Sequence, residues 1–186
     1  MTTTRSAADD ARDLPREPTA PWIRVLVAGL SIIWLGVLAW QVAVLPDRVP
    51  THFGPGGEPD GWSSKVGALA FSALGPLFAL PLPLVSLLVL RWPGLINSPN
   101  KQWWTATAAR LRRFERLIRE DLWLIAAVIL VTLIGVQVGI TGAALTPDGH
   151  LPGVWIAGPL IVVFVGTGVV LARMYGGRYE EQVDLQ

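Results

Sequence analysis

Residues 122–145 read LWLIAAVILVTLIGVQVGITGAAL, and this stretch decides the fold. It contains no Asp, Glu, Lys or Arg. About 20 apolar residues in a helix cross a hydrocarbon core of roughly 30 Å. A helix at the surface of a soluble protein would show a polar face, and this stretch shows none. The sequence therefore predicts a transmembrane helix here.

Three further stretches have the same character, at residues 25–45, 66–90 and 154–172, and none of them contains a charged residue. Charged residues make up 16% of the whole chain, whereas soluble domains contain about 25%. We predict an all-α membrane protein with four transmembrane helices, embedded in a lipid bilayer. The net charge of +1 provides no overall attraction to nucleic acid, so we expect no such partner.

The arginines and lysines predict the orientation. Four precede the first span, seven lie between the second and third spans, and two follow the fourth, which places 13 of the 15 on one side of the membrane. The loop between the first two spans has only Arg48 and Lys65, and the loop between the last two has none. Basic residues stay preferentially on the cytoplasmic side. We therefore expect both termini in the cytoplasm and the first and third loops outside.

These boundaries divide the chain into five parts. Residues 1–21 are polar and unable to bury a core, so we expect a disordered cytoplasmic tail. The remaining parts are a two-span domain at 22–92 with an outer loop at 46–65, a cytoplasmic loop at 93–121, a second two-span unit at 122–172, and a cytoplasmic tail at 173–186.

The cytoplasmic loop predicts an amphipathic basic helix. Ser98 is placed to cap it, with Pro99 at the first helical position. Apolar residues then recur at three- and four-residue steps: Trp104, Ala108, Leu111, Phe114, Ile118 and Leu122. The other face is basic, with Arg110, Arg112, Arg113, Arg116 and Arg119. We expect these arginines to contact anionic lipid; the helix could instead extend the third span or dock a partner.

Two patterns concern the packing of the spans. Pro76, Pro81 and Pro83 remove backbone donors from the second span, which predicts a bend. That bend could simply set the shape of the span, or it could be a moving gate. Gly135 and Gly139 give the third span a face of small residues, for which we expect close packing within the molecule.

The outer loop lies between two spans and reads LPDRVPTHFGPGGEPDGWSSK from Leu45 to Lys65. Its prolines favour an extended start. The sequence GPGG at 54–57 requires a sharp turn, and EPDG at 58–61 is typical of a type I turn. Ser63 is a candidate cap for the second span. We predict a compact lid over the outer ends of the first two spans.

Several chemistries are open to this loop. His52 and Asp60, with Glu58, Asp148 and His150, are residue types that bind zinc, but no ligand-spacing motif is present. A histidine and a carboxylate could also act as base and orienting group. Otherwise the polar residues could hydrogen-bond the loop to itself, or bind an external peptide or a membrane-protein partner.

The loop also resembles a known pattern, in which a span ends in Leu-Pro, an Ile/Val-Pro-x-His-(Phe/Trp) step follows, and Gly-x-x-Asp-Gly-(Trp/Phe)-x-x-Lys leads into a proline-bearing span. It is similar to the DUF1648 family of bacterial integral membrane proteins, the N-terminal domain of SdpI-type immunity proteins. The matching positions are Pro50, His52, Gly57, Asp60, Gly61, Trp62 and Lys65. The resemblance implies a multi-pass protein of the bacterial plasma membrane. In SdpI-type members it implies immunity to a secreted toxin peptide, coupled to sequestration of a repressor.

We therefore expect a non-enzymatic membrane protein with an outer recognition loop formed by the matching positions. It would have no cofactor and no metal, and its role would be toxin-peptide immunity or membrane signalling. One alternative is a small transporter or permease-like subunit, with the proline-rich second span as the moving part. Another is a metal-dependent membrane enzyme that uses His52 and the outer carboxylates.

Overall fold

The computed structural model describes residues 5–185 and contains four helices long and apolar enough to cross a membrane. They are Pro21–Val44, Lys65–Arg91, Ala108–Ala144 and Val154–Arg178. The predicted fold class, an all-α membrane protein with four spans, is confirmed.

In chain order, the α-helices and strands are α1 (Ala7–Asp13), α2 (Pro21–Val44), β1 (Arg48–Phe53), β2 (Pro59–Ser64), α3 (Lys65–Leu74), α4 (Leu88–Arg91), α5 (Lys101–Thr105), α6 (Ala108–Ala144) and α7 (Val154–Arg173). Short 3-10 turns cover Gly75–Phe78, Leu82–Leu87, Pro93–Leu95 and Val183–Leu185, and a π-type turn covers Met174–Arg178.

Helix α6 is the centre of the molecule, because α1, α2, the second span and α7 all contact it. Its 37 residues include both the basic segment and the third span, so the alternative in which the amphipathic helix extends that span is confirmed. The predicted helix start at Ser98 and Pro99 is wrong. The short α5 begins after Asn100, and Thr107 caps α6 by accepting a hydrogen bond from the Arg110 backbone N–H (3.3 Å).

The second span is broken, as its prolines predicted. Helix α3 ends at Leu74, and 3-10 turns continue the path at Gly75–Phe78 and Leu82–Leu87. Proline has no N–H and clashes with the preceding turn, so a regular helix cannot continue through this segment. The Ser86 hydroxyl donates to the Pro83 carbonyl oxygen (2.8 Å) and satisfies one backbone acceptor there.

Small residues bring α6 and α7 together. A Cβ atom on Gly139 would lie 2.9 Å from Trp155 Cβ, and one on Gly166 would lie 2.7 Å from Val128 Cγ2. Distances this short leave no room for a side chain, so these glycines allow the close approach. The predicted intramolecular use of the Gly135–Gly139 face is confirmed for Gly139.

The N-terminal segment corrects the prediction of a disordered tail at 1–21. Residues 1–4 lie outside the described residues, but α1 is capped by Ser6 and Asp9, each bonded to the other's backbone N–H. Ala11 is fully buried in an apolar cluster with residues of α6. The amino-acid composition did not predict that this segment is ordered, because polar contacts with α6 hold much of it in place. Arg112 Nη2 donates to the Leu14 carbonyl oxygen at 2.6 Å.

The outer loop is compact, as predicted, but it also contains two strands that the turn signals did not predict. β1 and β2 form an antiparallel hairpin whose register pairs Arg48 with Ser64 and His52 with Gly61. Ser64, and not Ser63, caps α3, because its hydroxyl accepts from the Gly67 backbone N–H (3.1 Å).

The two ends of the molecule are distinct. The hairpin and residues 146–153 lie together at one end, which we call the hairpin end. The N- and C-terminal segments, α1 and α5 lie together at the other, which we call the tail end.

Candidate functional site

The hairpin is anchored to the spans by its first strand. Val49 is fully buried in an apolar cluster with Leu45 and Ala68, and Ile140 and Ala144 of α6 pack against that cluster. At the base of the hairpin, the Lys65 backbone N–H donates to the Asp47 carbonyl oxygen (2.9 Å). The position of the hairpin relative to the membrane spans is therefore fixed.

Gly57 joins the hairpin to the third loop. It has φ +92°, and a Cβ there would lie 2.3 Å from the Leu151 carbonyl oxygen. The Leu151 backbone N–H donates to the Gly57 carbonyl oxygen at 2.9 Å. Glycine is the residue that adopts a positive φ without steric strain. Both the backbone conformation and the lack of space for a Cβ therefore favour glycine at this matching position.

Two further glycines allow close contacts here, Gly61 within the hairpin and Gly149 between the third loop and the hairpin. A Cβ on Gly61 would lie 2.8 Å from His52 Cβ on the opposite strand. Gly149, at φ +68°, brings the third loop against Trp62, since its Cβ would lie 3.1 Å from Trp62 Cη2. His150 Nε2 lies 3.1 Å from the Gly56 carbonyl oxygen. The hairpin and the third loop thus form one packed unit.

Several side chains remain accessible on this rigid unit, and we call four of them the hairpin patch: Arg48, His52, Asp60 and Trp62. His52 Nδ1 and Asp60 Oδ1 are in hydrogen-bond contact across the strands. Their side chains are 75% and 55% exposed. The Arg48 guanidinium lies over the Trp62 ring, 4.5 Å from its centroid. Such a surface can offer a cation, a carboxylate, an imidazole and an aromatic face to a partner.

The structure separates the residues proposed for a metal site. His52 and Asp60 meet, but His150 faces a backbone carbonyl. Asp148 accepts from the His150 backbone N–H, and this hydrogen bond is the main cause that holds the pKa of the Asp148 carboxyl below its usual value. Within residues 5–185, no three His, Cys, Asp or Glu side chains come together as metal ligands would.

Of the seven matching positions, four have mainly structural contacts. Gly57 and Gly61 provide space, and Pro50 is buried beside Val49. Lys65 begins α3 and closes the base of the hairpin through its backbone. His52, Asp60 and Trp62 are the matching positions that present side chains outward.

A second polar cluster, at the tail end, was missed by the sequence reasoning. Glu115, Glu120 and Asp121 are 0%, 2% and 1% exposed. We call these three carboxylates and their partners the tail cluster. The sequence signal was the presence of three carboxylates within seven residues just before the third span, facing arginines that follow the fourth span.

Each buried carboxylate of the tail cluster has cationic and neutral partners. Glu115 accepts from Arg119 (3.0 Å), Arg16 (3.2 Å) and the Ser86 hydroxyl (2.8 Å). Glu120 accepts from Arg178 Nη2 (2.6 Å) and the Ala20 backbone N–H (2.9 Å). Asp121 accepts from Arg173 (3.2 Å), Arg178 (3.2 Å) and the Tyr179 hydroxyl (2.6 Å). Breaking such a buried network costs several kcal/mol, so it locks the two termini onto α6.

The basic face of α6 has intramolecular partners. Arg112 and Arg119 are only 7% and 4% exposed, so the expectation that they face lipid is wrong for this conformation. Arg113 and Arg116 share the Glu17 carboxylate, at 2.8 Å and 2.7 Å. Arg110 donates to the Leu185 carbonyl oxygen and lies over Trp103. Contact of Arg110, Arg113 and Arg116 with anionic lipid stays a prediction.

Comparison with known proteins agrees with the hairpin as the defining feature. Residues 27–75 match the family described as "Domain of unknown function (DUF1648)". This segment is similar to a DUF1648 domain. It consists of most of α2, the whole hairpin and α3, so the family match ends where the second span breaks.

The similarity to one relative extends further along the chain. A protein of Archaeoglobus fulgidus, described as "Uncharacterized protein", is 28% identical over 165 residues, covering 82% of this chain and 88% of that protein. A sequence similar to this chain therefore also occurs in an archaeon. No solved structure matches the chain.

Proposed function

We propose that this membrane protein is not an enzyme, and that its hairpin patch binds a peptide or a membrane-protein partner outside the cell. The observation that carries this proposal is a rigid hairpin with exposed side chains. Glycine contacts and Val49 fix the backbone, while the His52–Asp60 and Arg48–Trp62 pairs stay accessible. Tryptophan and arginine are enriched among residues that dominate binding energy, and a preorganised surface avoids the cost of ordering on binding.

We propose further that the hairpin end faces outward and the tail end faces the cytoplasm of a bacterial cell, across the plasma membrane. The distribution of arginine and lysine supports this orientation. The resemblance to SdpI-type proteins supports a secreted toxin peptide as ligand, with immunity or membrane signalling as the role. In this arrangement, the locked termini at the tail end are available to an intracellular regulator.

Transport is the second candidate, and the broken second span favours it. The 3-10 turns between Gly75 and Leu87 give this span fewer regular backbone hydrogen bonds than an α-helix. Such discontinuous helices are used as moving parts in transporters. The metal-dependent enzyme is not proposed, because the described residues assemble no set of three ligands.

Crosslinking in living cells tests the binding proposal. A photoreactive amino acid replaces His52 in the hairpin patch or, as a control, Pro147, which is exposed in the third loop at the same end. We expect a discrete protein or peptide adduct from position 52, and its loss when Trp62→Ala is added. Equal adducts at both positions, or none at position 52, would contradict recognition by the patch.

Single-cysteine labelling tests the orientation, because the chain has no native cysteine. Ser64 at the hairpin end and Thr107 at the tail end are both exposed. We expect a membrane-impermeant maleimide to label Ser64→Cys in intact cells and Thr107→Cys only after lysis. The reverse pattern would place the hairpin in the cytoplasm and overturn an extracellular ligand.

A further inference from the structure

A cleft of about 580 Å³ opens between α2, the broken second span and residues 16–19. Its walls are mostly apolar and include Val27, Ala28, Leu80, Leu84 and Trp123. Helix α2 and the second span are both long and apolar enough to cross the membrane. The walls that they contribute therefore belong to candidate membrane spans.

The rim of this cleft is cationic. Arg16, Arg24 and Arg119 line it. Arg24 is exposed in the first turn of α2, and among residues 5–185 no carboxylate oxygen lies within 4.0 Å of its guanidinium. We call the whole feature the Arg24 cleft.

Two carboxylates compete for these cations, and both are already engaged. Glu115 pairs with Arg119 (3.0 Å) and with Arg16 (3.2 Å). Glu17 also lines the cleft, but Arg113 and Arg116 hold it at 2.8 Å and 2.7 Å. The Arg16 side chain is 46% exposed, so it can serve Glu115 and a second anion together. Positive charge therefore exceeds negative charge at the rim.

We propose that the Arg24 cleft binds one anionic phospholipid. Its phosphate would lie on Arg24 and Arg16, because guanidinium groups bind phosphate oxygens through paired hydrogen bonds. One acyl chain would lie along Val27 and Leu84, which the apolar wall of the cleft provides. The cationic rim of the cleft matches the phosphate of such a lipid, and the apolar wall matches its acyl chain.

General attraction of an interfacial arginine to the membrane surface would also draw lipid headgroups toward Arg24. Arg91 provides a matched control for that effect. It is exposed at the end of α4, lies over the Trp92 ring at 5.6 Å, and is outside the cleft. Binding of a lipid in the cleft requires Arg24 and the cleft walls but not Arg91. General attraction of lipid headgroups would be weakened equally by the loss of Arg24 or of Arg91.

The experiment uses the full chain, purified and delipidated in a non-ionic detergent, and counts bound lipids by native mass spectrometry. The probes are phosphatidylglycerol and phosphatidylcholine with identical acyl chains. We expect one phosphatidylglycerol to bind several-fold more tightly than phosphatidylcholine. Arg24→Gln should weaken phosphatidylglycerol binding about fivefold, and Arg91→Gln should leave it unchanged.

A second variant tests the wall without changing charge. Ala28 is exposed and lines the cleft, so Ala28→Phe should fill the space of the acyl chain and remove the bound lipid, while the thermal unfolding midpoint stays close to that of the wild type. Glycerol 3-phosphate in excess should not displace phosphatidylglycerol. Equal binding of both lipids, equal losses in Arg24→Gln and Arg91→Gln, full binding by Ala28→Phe, or displacement by glycerol 3-phosphate would each overturn the proposal.

Discussion

The hairpin end and the tail end use polar residues in opposite ways. At the hairpin end, backbone contacts at Gly57 and Gly61 set the shape, and the charged side chains of the hairpin patch remain exposed. At the tail end, charged side chains set the shape, and Glu115 is completely buried. The comparison teaches that one end keeps its polar groups free for a partner, while the other uses them to hold its own chain.

The energetic difference follows from solvent access. An exposed pair such as His52–Asp60 contributes about 0–1 kcal/mol, because water already solvates both groups. Removing one partner of a buried pair such as Glu115–Arg119 costs about 3–5 kcal/mol, because a buried charge is left without compensation. We therefore expect substitutions of charged residues at the hairpin end to affect binding, and substitutions of charged residues at the tail end to affect stability.

The largest expected effect is at the tail end. Glu115→Ala removes the acceptor of Arg119, Arg16 and Ser86 at once. Because the Arg119 side chain is only 4% exposed, its charge would remain buried and unpaired. We expect the free energy of unfolding in detergent to fall by about 3–5 kcal/mol, measured by denaturant titration.

Glu58→Ala is the control for this variant, because Glu58 is an exposed carboxylate in the hairpin turn. We expect it to change the free energy of unfolding by less than about 0.5 kcal/mol. Comparable losses in both variants would show that burial does not distinguish the two ends.

The next effect in size concerns the backbone of the hairpin end. Gly57→Ala places a Cβ in a residue at φ +92°, 2.3 Å from the Leu151 carbonyl oxygen. We expect a loss of about 2–3 kcal/mol and faster amide hydrogen exchange in the hairpin and residues 146–153. The tail end should keep its exchange rates, because its contacts are independent of this turn.

Gly153→Ala is the matched control in the third loop. Gly153 has helical backbone angles, and a Cβ there meets nothing within 4 Å. We expect an unchanged or slightly raised stability. If both glycine variants raise amide hydrogen exchange in the hairpin equally, the contact between the hairpin and the third loop is not the cause of the hairpin's order.

The fold could be predicted from the sequence where one physical signal dominates. Four charge-free apolar stretches determine four spans, since buried charges are costly in lipid. Pro76, Pro81 and Pro83 predict the break, because three prolines so close together remove three backbone donors and clash with the turns before them. The glycines and prolines of the loop between the first two spans were enough to predict that it is compact. They did not predict the two strands, because the register that pairs Arg48 with Ser64 is not specified by turn residues alone.

The tail cluster could not be predicted because its partners are far apart in sequence. Arg16 and Arg178 reach Glu115 and Glu120 from opposite ends of the chain. An arginine in a polar segment has the same local pattern whether it faces lipid, water or a buried carboxylate. The helical stripe of α6 correctly separated apolar from basic positions, but it could not show that the N-terminal segment covers the basic face.

The smallest of the three effects concerns the neutral member of the tail cluster. The Tyr179 hydroxyl donates to Asp121 at 2.6 Å, and Asp121 keeps Arg173 and Arg178 when this hydroxyl is removed. Tyr179→Phe should therefore lower the free energy of unfolding by only about 1–2 kcal/mol. Tyr175→Phe, at a side chain with 80% exposure, should change it little.

The pH dependence tests whether the Tyr179 phenol stays neutral in the folded protein, because burial and the contact with Asp121 both favour the neutral form. Burial, followed by the contact with Asp121, raises the pKa of Tyr179 far above its usual value, so the folded protein keeps the phenol neutral. The unfolded chain ionises near pH 10. The stabilisation by the neutral hydroxyl is therefore complete below about pH 10 and is lost as the pH rises further, by about 1.4 kcal/mol per pH unit. The stability difference between wild type and Tyr179→Phe should shrink above that pH; a constant difference from pH 8 to 11 would mean that Tyr179 ionises equally in both states and is not held by the tail cluster.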